Sequence, residues 1–222
     1  MKKIIFLGSG GGGNLKFIHH YSSSANTTPF KVTGVLADRE CGALDFGKSI
    51  GISSEILSFK RNEAENTVLI TKLKQFEPDF IITNIHKIIS KQVVQTFEGK
   101  LINLHYSYLP AFGGVIGMQP VKRALARDNK FVGCTSHFVN EKVDDGQTIA
   151  QGIFSIERVS NTFQSTFKCG AITLLAALFQ LCEPESTLKD KFTKDYWISP
   201  FSSNIDENKV HSILKTLQEQ EV

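Results

Sequence analysis

The chain has 222 residues, 41% of them hydrophobic and 21% charged, with a net charge of +3. That composition excludes a disordered or fibrous chain and fits one large domain, or one domain with an appendage. The small charge, with no block of basic residues, argues against nucleic acid and for a soluble protein that handles a small molecule.

Residues 3–7 form a compact apolar run and read as a buried strand. With so short a run, the N-terminus is too short for the core of a signal peptide. A loop follows, Gly8-Ser9-Gly10-Gly11-Gly12-Gly13-Asn14, and then a helical pattern through Leu15 and Ile18. Strand, glycine loop and helix present free backbone N–H groups and the positive end of a helix to an anion. Five glycines in six residues exceed what a plain turn needs. Gly10, Gly11, Gly12, Gly13 and Asn14 are therefore read as a phosphate site, with a structural turn as the alternative. Gly8, Gly10 and Gly13 also meet the dinucleotide fingerprint, in which Asp38, after a strand over 32–37, would be the ribose ligand. Asp38 lies 25 residues after Gly13, farther than that fingerprint prefers.

Helix and strand then alternate. Residues 41–50 are helix-like, 55–59 strand-like, and 62–76 carry a helical stripe at Val68, Leu69, Leu73 and Phe76. Residues 80–83 read as a buried strand. Ser90 caps a helix over 91–97, and Gly99 ends it. A strand at 101–105 follows. This order implies an α/β fold: a Rossmann-like, mostly parallel twisted sheet with helices on both faces. Ligands bind such sheets beyond the carboxyl ends of the strands, so 8–14, 84–87 and 105–114 are expected to converge on one cleft.

The strand at 101–105 runs into a Pro/Gly-rich loop, LINLHYSYLPAFGG. Alternation puts Leu101, Asn103 and His105 on one face. An amide that can donate to a carbonyl oxygen and an imidazole that can move a proton thus leave the strand side by side. Acyl transfer to an amine needs both. The alternative is a loop-capping Asn103 and a core His105.

Residues 118–126 are helical. Residues 131–139 and 148–156 alternate as strands, joined by a polar link that carries Glu141, Asp144 and Asp145. Asn161-Thr162-Phe163-Gln164 resembles a capping box. It opens a helix with Phe163, Phe167, Ala171, Leu174, Leu178 and Leu181 on one face, read as core, and Pro184 ends it. Within it, the apolar stretch 171–181 is broken by Thr173 and Gln180 and is too short to span a bilayer. Residues 194–201 read as extended and 206–219 as a last amphipathic helix. The expected division is a catalytic domain over 1–182 and a C-terminal extension over 183–222. Cys41, Cys134, Cys169 and Cys182 are far apart, without C-x-x-C or a His cluster at ligand spacing. Reduced thiols in a cytoplasmic protein, with no metal, are the expectation. His19, His20 and His211 read as surface residues and His137 as structural, with a place at the border of the cleft as the alternative. Tyr196 and Trp197 read as tail packing, with support of a homodimer as the alternative.

Three features in this order carry a resemblance. They are Asn103-x-His105 with Ser107 and Leu109-Pro110, then Gly133-Cys134-Thr135-Ser136-His137-Phe138-Val139, then Val143-Asp144-Asp145-Gly146 followed by Ile149-Ala150-Gln151. The chain resembles the folate-dependent formyltransferases over about residues 3–182. Its loop Ser9-Gly10-Gly11-Gly12-Gly13-Asn14-Leu15 resembles the loop of the glycinamide ribonucleotide branch. The resemblance implies the formyltransferase fold, Asn103, His105 and Asp144 as the catalytic set, and 10-formyltetrahydrofolate as donor. It places the pterin against His86, Lys87, Ile88, Ile89, Leu101, Val139, Val143 and Asp145, and gives the glycine loop to a substrate phosphate. Asp144 is preferred to Asp145 because the family aspartate directly follows a hydrophobic residue, here Val143.

In the implied reaction an unprotonated amine attacks the formyl carbon. Asn103 and a charged His105 meet the oxyanion, and Asp144 stabilises the imidazolium and helps pass the amine proton to the folate nitrogen. An oxyanion donor is worth roughly 3 kcal/mol, and proton transfer adds ~10²–10⁴-fold. The chain departs from the family pattern at Tyr106, where proline is usual, and in a longer, glycine-rich segment over 111–117. Asn84-Ile85-His86-Lys87 replaces a more apolar loop, and Cys169 stands where the family has an acceptor-holding glutamate. The expected acceptor is 5-phosphoribosylglycinamide, with a nucleotide-linked amino sugar as the alternative. Readings of other classes are a non-catalytic folate- or nucleotide-binding regulator and an NAD(P)-dependent oxidoreductase.

Overall fold

The computed structural model describes residues 1–23, 28–60, 62–193 and 195–219. They fall into two compact units: Met1–Asn103 with Val139–Glu141, and Leu104–Phe138 with Lys142 onward.

The first unit is a parallel sheet in the order β3-β2-β1-β4-β5. Its strands are β1 (Lys2–Gly8), β2 (Phe30–Ala37), β3 (Ser53–Ile56), β4 (Phe80–Asn84) and β5 (Leu101–His105), whose last two residues already belong to the second unit. Strands covered on both faces need apolar runs rather than alternation, and Ile4, Ile5, Phe6 and Leu7 are all exposed by 1% or less. The helices are α1 (Gly13–Ser23), α2 (Gly42–Ser49), α3 (Glu63–Phe76) and α4 (Lys91–Thr96). Leu69 and Leu73 of α3 and Val93 and Val94 of α4 share one core cluster with Ile5, Leu7, Leu36 and Ile81. On the opposite face α2 comes so close that a Cβ at Gly47 would lie 3.1 Å from Val35. Helices thus cover both faces of this sheet. Side-chain caps start two of them: Asn62 Oδ1 accepts from the Glu65 N–H at 2.9 Å, and Ser90 Oγ from the Val93 N–H at 3.4 Å. Gly8, Asn84 and Asn103 come at the carboxyl ends of the neighbouring strands β1, β4 and β5, as expected for a ligand edge.

One strand differs from its expected position. The alternation at 55–59 measures burial rather than pairing. Leu57 and Phe59 pack against the core cluster, but the ladder with β2 ends at Ile56.

The second unit contains α5 (Gln119–Leu125), β6 (Phe131–Phe138), β7 (Thr148–Ser155), α6 (Thr162–Cys182), β8 (Leu188–Phe192), β9 (Trp197–Ser202) and α7 (Glu207–Glu219). Its strands are antiparallel in the order β6-β7-β9-β8. Helix α6 lies directly on them: a Cβ at Gly152 of β7 would sit 2.8 Å from Cys169 Sγ. Asn161 caps this helix, its Oδ1 accepting from the Gln164 N–H at 3.0 Å. The expected one-sided stripe is corrected at both ends. Phe163 is 39% exposed, whereas residues from Cys169 to Phe179 are buried nearly all round. The helix is also longer than its apolar centre. Among the described residues it alone is long and apolar enough to cross a membrane by length and composition, and 67% of its most apolar window is buried within the protein. Strand β8 was not expected, because its sequence LKDKF lacks apolar alternation; it is a charged edge strand. Of the tail expected to be extended, Lys194 lies outside the described residues, and β9 begins at Trp197.

Candidate active site

The glycine loop turns from β1 into α1. Gly12 has φ +77°, and a Cβ there would lie 2.8 Å from the Ala43 backbone. Packing against α2 therefore requires that glycine. Gly10 and Gly11 have nothing within 4 Å of a Cβ position, so packing gives no reason for them. Asn14 is 4% exposed, and its Nδ2 donates to Asn84 Oδ1 at 2.8 Å. The His86 N–H donates to Ser9 Oγ at 3.0 Å. These bonds join the glycine loop to the segment after β4. Asp38 is engaged otherwise. Arg39 donates to both its oxygens, at 3.0 and 2.6 Å, and holds the carboxyl below its usual pKa with help from Ser9. The Asp38 side chain is also only 4% exposed, which weighs against its meeting a ribose diol as the oxidoreductase reading needs. On β5, the Thr83 hydroxyl lies 3.2 Å from the Ile102 carbonyl oxygen and 3.3 Å from Asn103 Oδ1, so its one proton is shared between the two acceptors.

In the second unit His105, only 6% exposed, has an acceptor at each ring nitrogen. Nδ1 lies 3.3 Å from Asp144 Oδ2, and Nε2 lies 3.2 Å from the Phe112 carbonyl oxygen. Asp144 stands in the left-handed region at φ 54°, which turns its carboxylate inward. The carboxylate is 9% exposed and accepts from the Gly114 N–H at 2.7 Å. His137 Nε2 stands 3.6 Å from its other oxygen, longer than a good hydrogen bond. The loop before Phe112 is anchored to the sheet. Thr135 Oγ1 donates to the Ser107 carbonyl and accepts from the Leu109 N–H, and Gln151 Nε2 donates to the Leu109 carbonyl.

Electrostatics sets the protonation states. Burial pushes the His105 pKa below its usual value, against the pull of Asp144 and of the Phe112 carbonyl; His137 adds to the downward shift. Burial works against the Asp144 carboxylate, but His137, the Gly114 N–H and His105 outweigh it and lower its pKa. A neutral ring beside an ionised carboxylate puts its one proton on Nδ1. Nε2 is then a base whose lone pair faces a carbonyl lone pair. The contact with Phe112 therefore suits the imidazolium, and the neutral ring favours release of that carbonyl.

A buried histidine–carboxylate pair on this scaffold coincides with a match to the family model described as formyl transferase, over residues 2–167. The chain belongs to the formyl transferase family. It is 32% identical over 161 residues, 70% of its length, to a chloroplastic phosphoribosylglycinamide formyltransferase of Vigna unguiculata, covering 52% of that protein. It is 33% identical over 107 residues to a formyltetrahydrofolate deformylase of Escherichia coli, 48% of this chain and 36% of that one. The chain thus spans about half the length, or less, of the curated relatives it matches. The crystal structure of a phosphoribosylglycinamide formyltransferase from Brucella melitensis superposes with a TM-score of 0.73 at 26% identity, over 82% of this chain and 96% of that one.

Within this family member the expected site residues have different surroundings. His86, Lys87 and Ile88 are exposed after β4, while Ile89 and Val139 pack on the core cluster of the first unit. Leu101 is 1% exposed, so it shapes a wall only from behind; its carbonyl accepts from the Val139 N–H at 2.9 Å. Val143 is exposed by 55%. Asp145 points to solvent, its side chain 59% exposed and 3.7 Å from Lys142 Nζ. Cys169 is fully buried against β6 and β7 and presents no surface to an acceptor. The sequence did not reveal the Phe112 carbonyl or the Gly114 N–H as partners, since backbone groups leave no residue-type signal, and it gave no sign that the Thr83 hydroxyl lies beside Asn103. For His137 the only hint was its place on β6 shortly before Asp144.

Proposed function

We propose that the chain transfers a formyl group from 10-formyltetrahydrofolate to a primary amine, with 5-phosphoribosylglycinamide as acceptor. The observation that carries this reading is the buried His105–Asp144 pair. Asp144 holds the Nδ1–H, the lowered pKa favours the neutral ring, and Nε2 becomes a base for the amine once the Phe112 carbonyl is released. The amine nitrogen bonds to the formyl carbon, and Nε2 takes its proton. Asn103 and the resulting Nε2–H stabilise the oxyanion. The carbon–nitrogen bond to the folate then breaks, and His105 returns the proton to the folate nitrogen. The sequence reading preferred a charged His105 at the oxyanion; the lowered pKa favours a ring that becomes charged during the step.

Gly10, Gly11, Gly12 and Gly13 would offer backbone N–H groups to the acceptor phosphate, with Asn14 beside them. The open space at Gly10 and Gly11 supports this. His86, Lys87, Ile88, Ile89, Val139, Val143 and Asp145 would line the folate. The relatives named phosphoribosylglycinamide formyltransferase support the choice of acceptor.

A second reading is hydrolysis of the same donor, with water in place of the amine. It is favoured by the relatives named formyltetrahydrofolate deformylase and by the buried cysteine at the acceptor-holding position. One assay separates the readings. Loss of 10-formyltetrahydrofolate is followed with 5-phosphoribosylglycinamide, with nucleotide-linked amino sugars, and with no amine. Turnover that requires the ribonucleotide is expected. Equal formate release without any amine identifies a deformylase, and turnover only with an amino sugar reassigns the acceptor.

A further inference from the structure

We infer that the second unit holds a ligand site of its own, a cavity between α6, the β8–β9 hairpin and α7 shaped for a small amphipathic monoanion. The cavity measures about 360 Å³, within the range of roughly 300–1,000 Å³ typical of small-molecule sites. Its lining begins at Lys168, whereas the family match ends at residue 167. Its lining shares no residue with those assigned above to formyl transfer.

The lining has two parts. Ile172, Ile198 and Leu214 provide an apolar wall, and the last two are almost fully buried. Charged groups complete the lining. Lys191 Nζ is bound to Glu207 Oε1 at 2.7 Å, so that pair is neutral as a unit. Among the described lining residues, and leaving His211 aside, Lys168 and Lys215 are then opposed by Asp195 alone, an excess of one positive charge. A ligand with one negative charge balances it, while a polyanion would crowd Asp195 and Glu207. Gln218 also lines the cavity, and its Nε2 is buried without an acceptor among the described residues. Buried donors are rarely left unpaired, and a carboxylate or sulfonate group would place its charge on the side of the lining that carries this amide and the lysine excess. An aromatic or short aliphatic body bearing one such group fits both parts.

The test is a methyl-labelled NMR titration of the full chain with 4-phenylbutyrate, its neutral counterpart 4-phenylbutanol, and ATP. Phenylbutyrate is expected to shift the Ile172, Ile198 and Leu214 methyl signals. Phenylbutanol should bind about ten-fold more weakly, the scale of one charged hydrogen bond. Lys168→Gln and Lys215→Gln, changes at lysine heads rather than in the core, should each weaken the acid but not the alcohol. The inference fails if the acid leaves those methyls unmoved at millimolar concentration. It also fails if the alcohol binds equally, if neither substitution matters, or if only ATP shifts the signals. None of these readouts depends on formyl transfer.

Discussion

Asp144 and Asp145 are adjacent and chemically identical, and only their surroundings separate them. The first touches two histidines and a backbone N–H; the second faces water beside Lys142. Asp144→Asn should lower kcat by ~10²-fold or more, the scale of a lost acid–base partner, whereas Asp145→Asn should change it little. Steady-state rates on 10-formyltetrahydrofolate check this, and equal losses would contradict it. The same contacts fix the sign of a titration. Asp144 raises the His105 pKa and His137 lowers it. In an NMR titration of the His105 ring, Asp144→Asn should therefore move the midpoint down and His137→Asn should move it up. An unmoved midpoint in both variants would show that burial alone governs the ring, and shifts in the opposite directions would contradict the assigned signs.

Elements were legible wherever a side chain does the organising. The cap at Asn161, the cap at Ser90 and the glycine loop after β1 are all written in residue types, and all form as expected. Asn161→Ala should cost about 1 kcal/mol of stability in urea titration, as loss of an N-cap does. The glycine loop makes a sharper prediction. Gly12→Ala forces a left-handed φ and a backbone clash, and should cost about 1–3 kcal/mol or more. Gly10→Ala meets open space and should leave stability unchanged while weakening acceptor binding. Equal effects on stability would mean that the loop's glycines serve packing alone. Strands β3 and β8 were misplaced or missed for one reason. Hydrophobic alternation reports burial, and β8 is a charged edge whose pairing with β9 is backbone to backbone.

At the scale of the whole molecule, the fold class was legible because a parallel α/β layout repeats its pattern many times along the chain. The site was legible only as a set of residue types. Asn103 and His105 were read from strand alternation and Asp144 from a resemblance, but the partner at Nε2 is a backbone carbonyl and the support of the loop comes from Thr135 and Gln151 on the facing strands. Stability against pH is a property of the sum. His105, His19 and His20 all have pKa values lowered from 6.5, mainly by burial. The unfolded chain takes up protons first as the pH falls, so the stability these groups contribute is full above 6.5 and is lost as the pH drops through their folded values. Asp144, Asp38 and Asp79, lowered from 3.8, add a second loss at more acid pH. Tm should therefore decline on acidification from about pH 7.5 to about pH 5.5. A Tm that holds or rises over that interval would contradict these shifts.

The most direct measurement is a single-turnover transfer of a ¹³C-labelled formyl group, with wild type and His105→Ala compared at saturating folate. The wild type should place the label on the acceptor amine, and the variant should bind the folate equally well yet transfer at least ~10²-fold more slowly. Undiminished transfer by the variant, or label that leaves the wild type only as formate while the amine is present, would contradict the account.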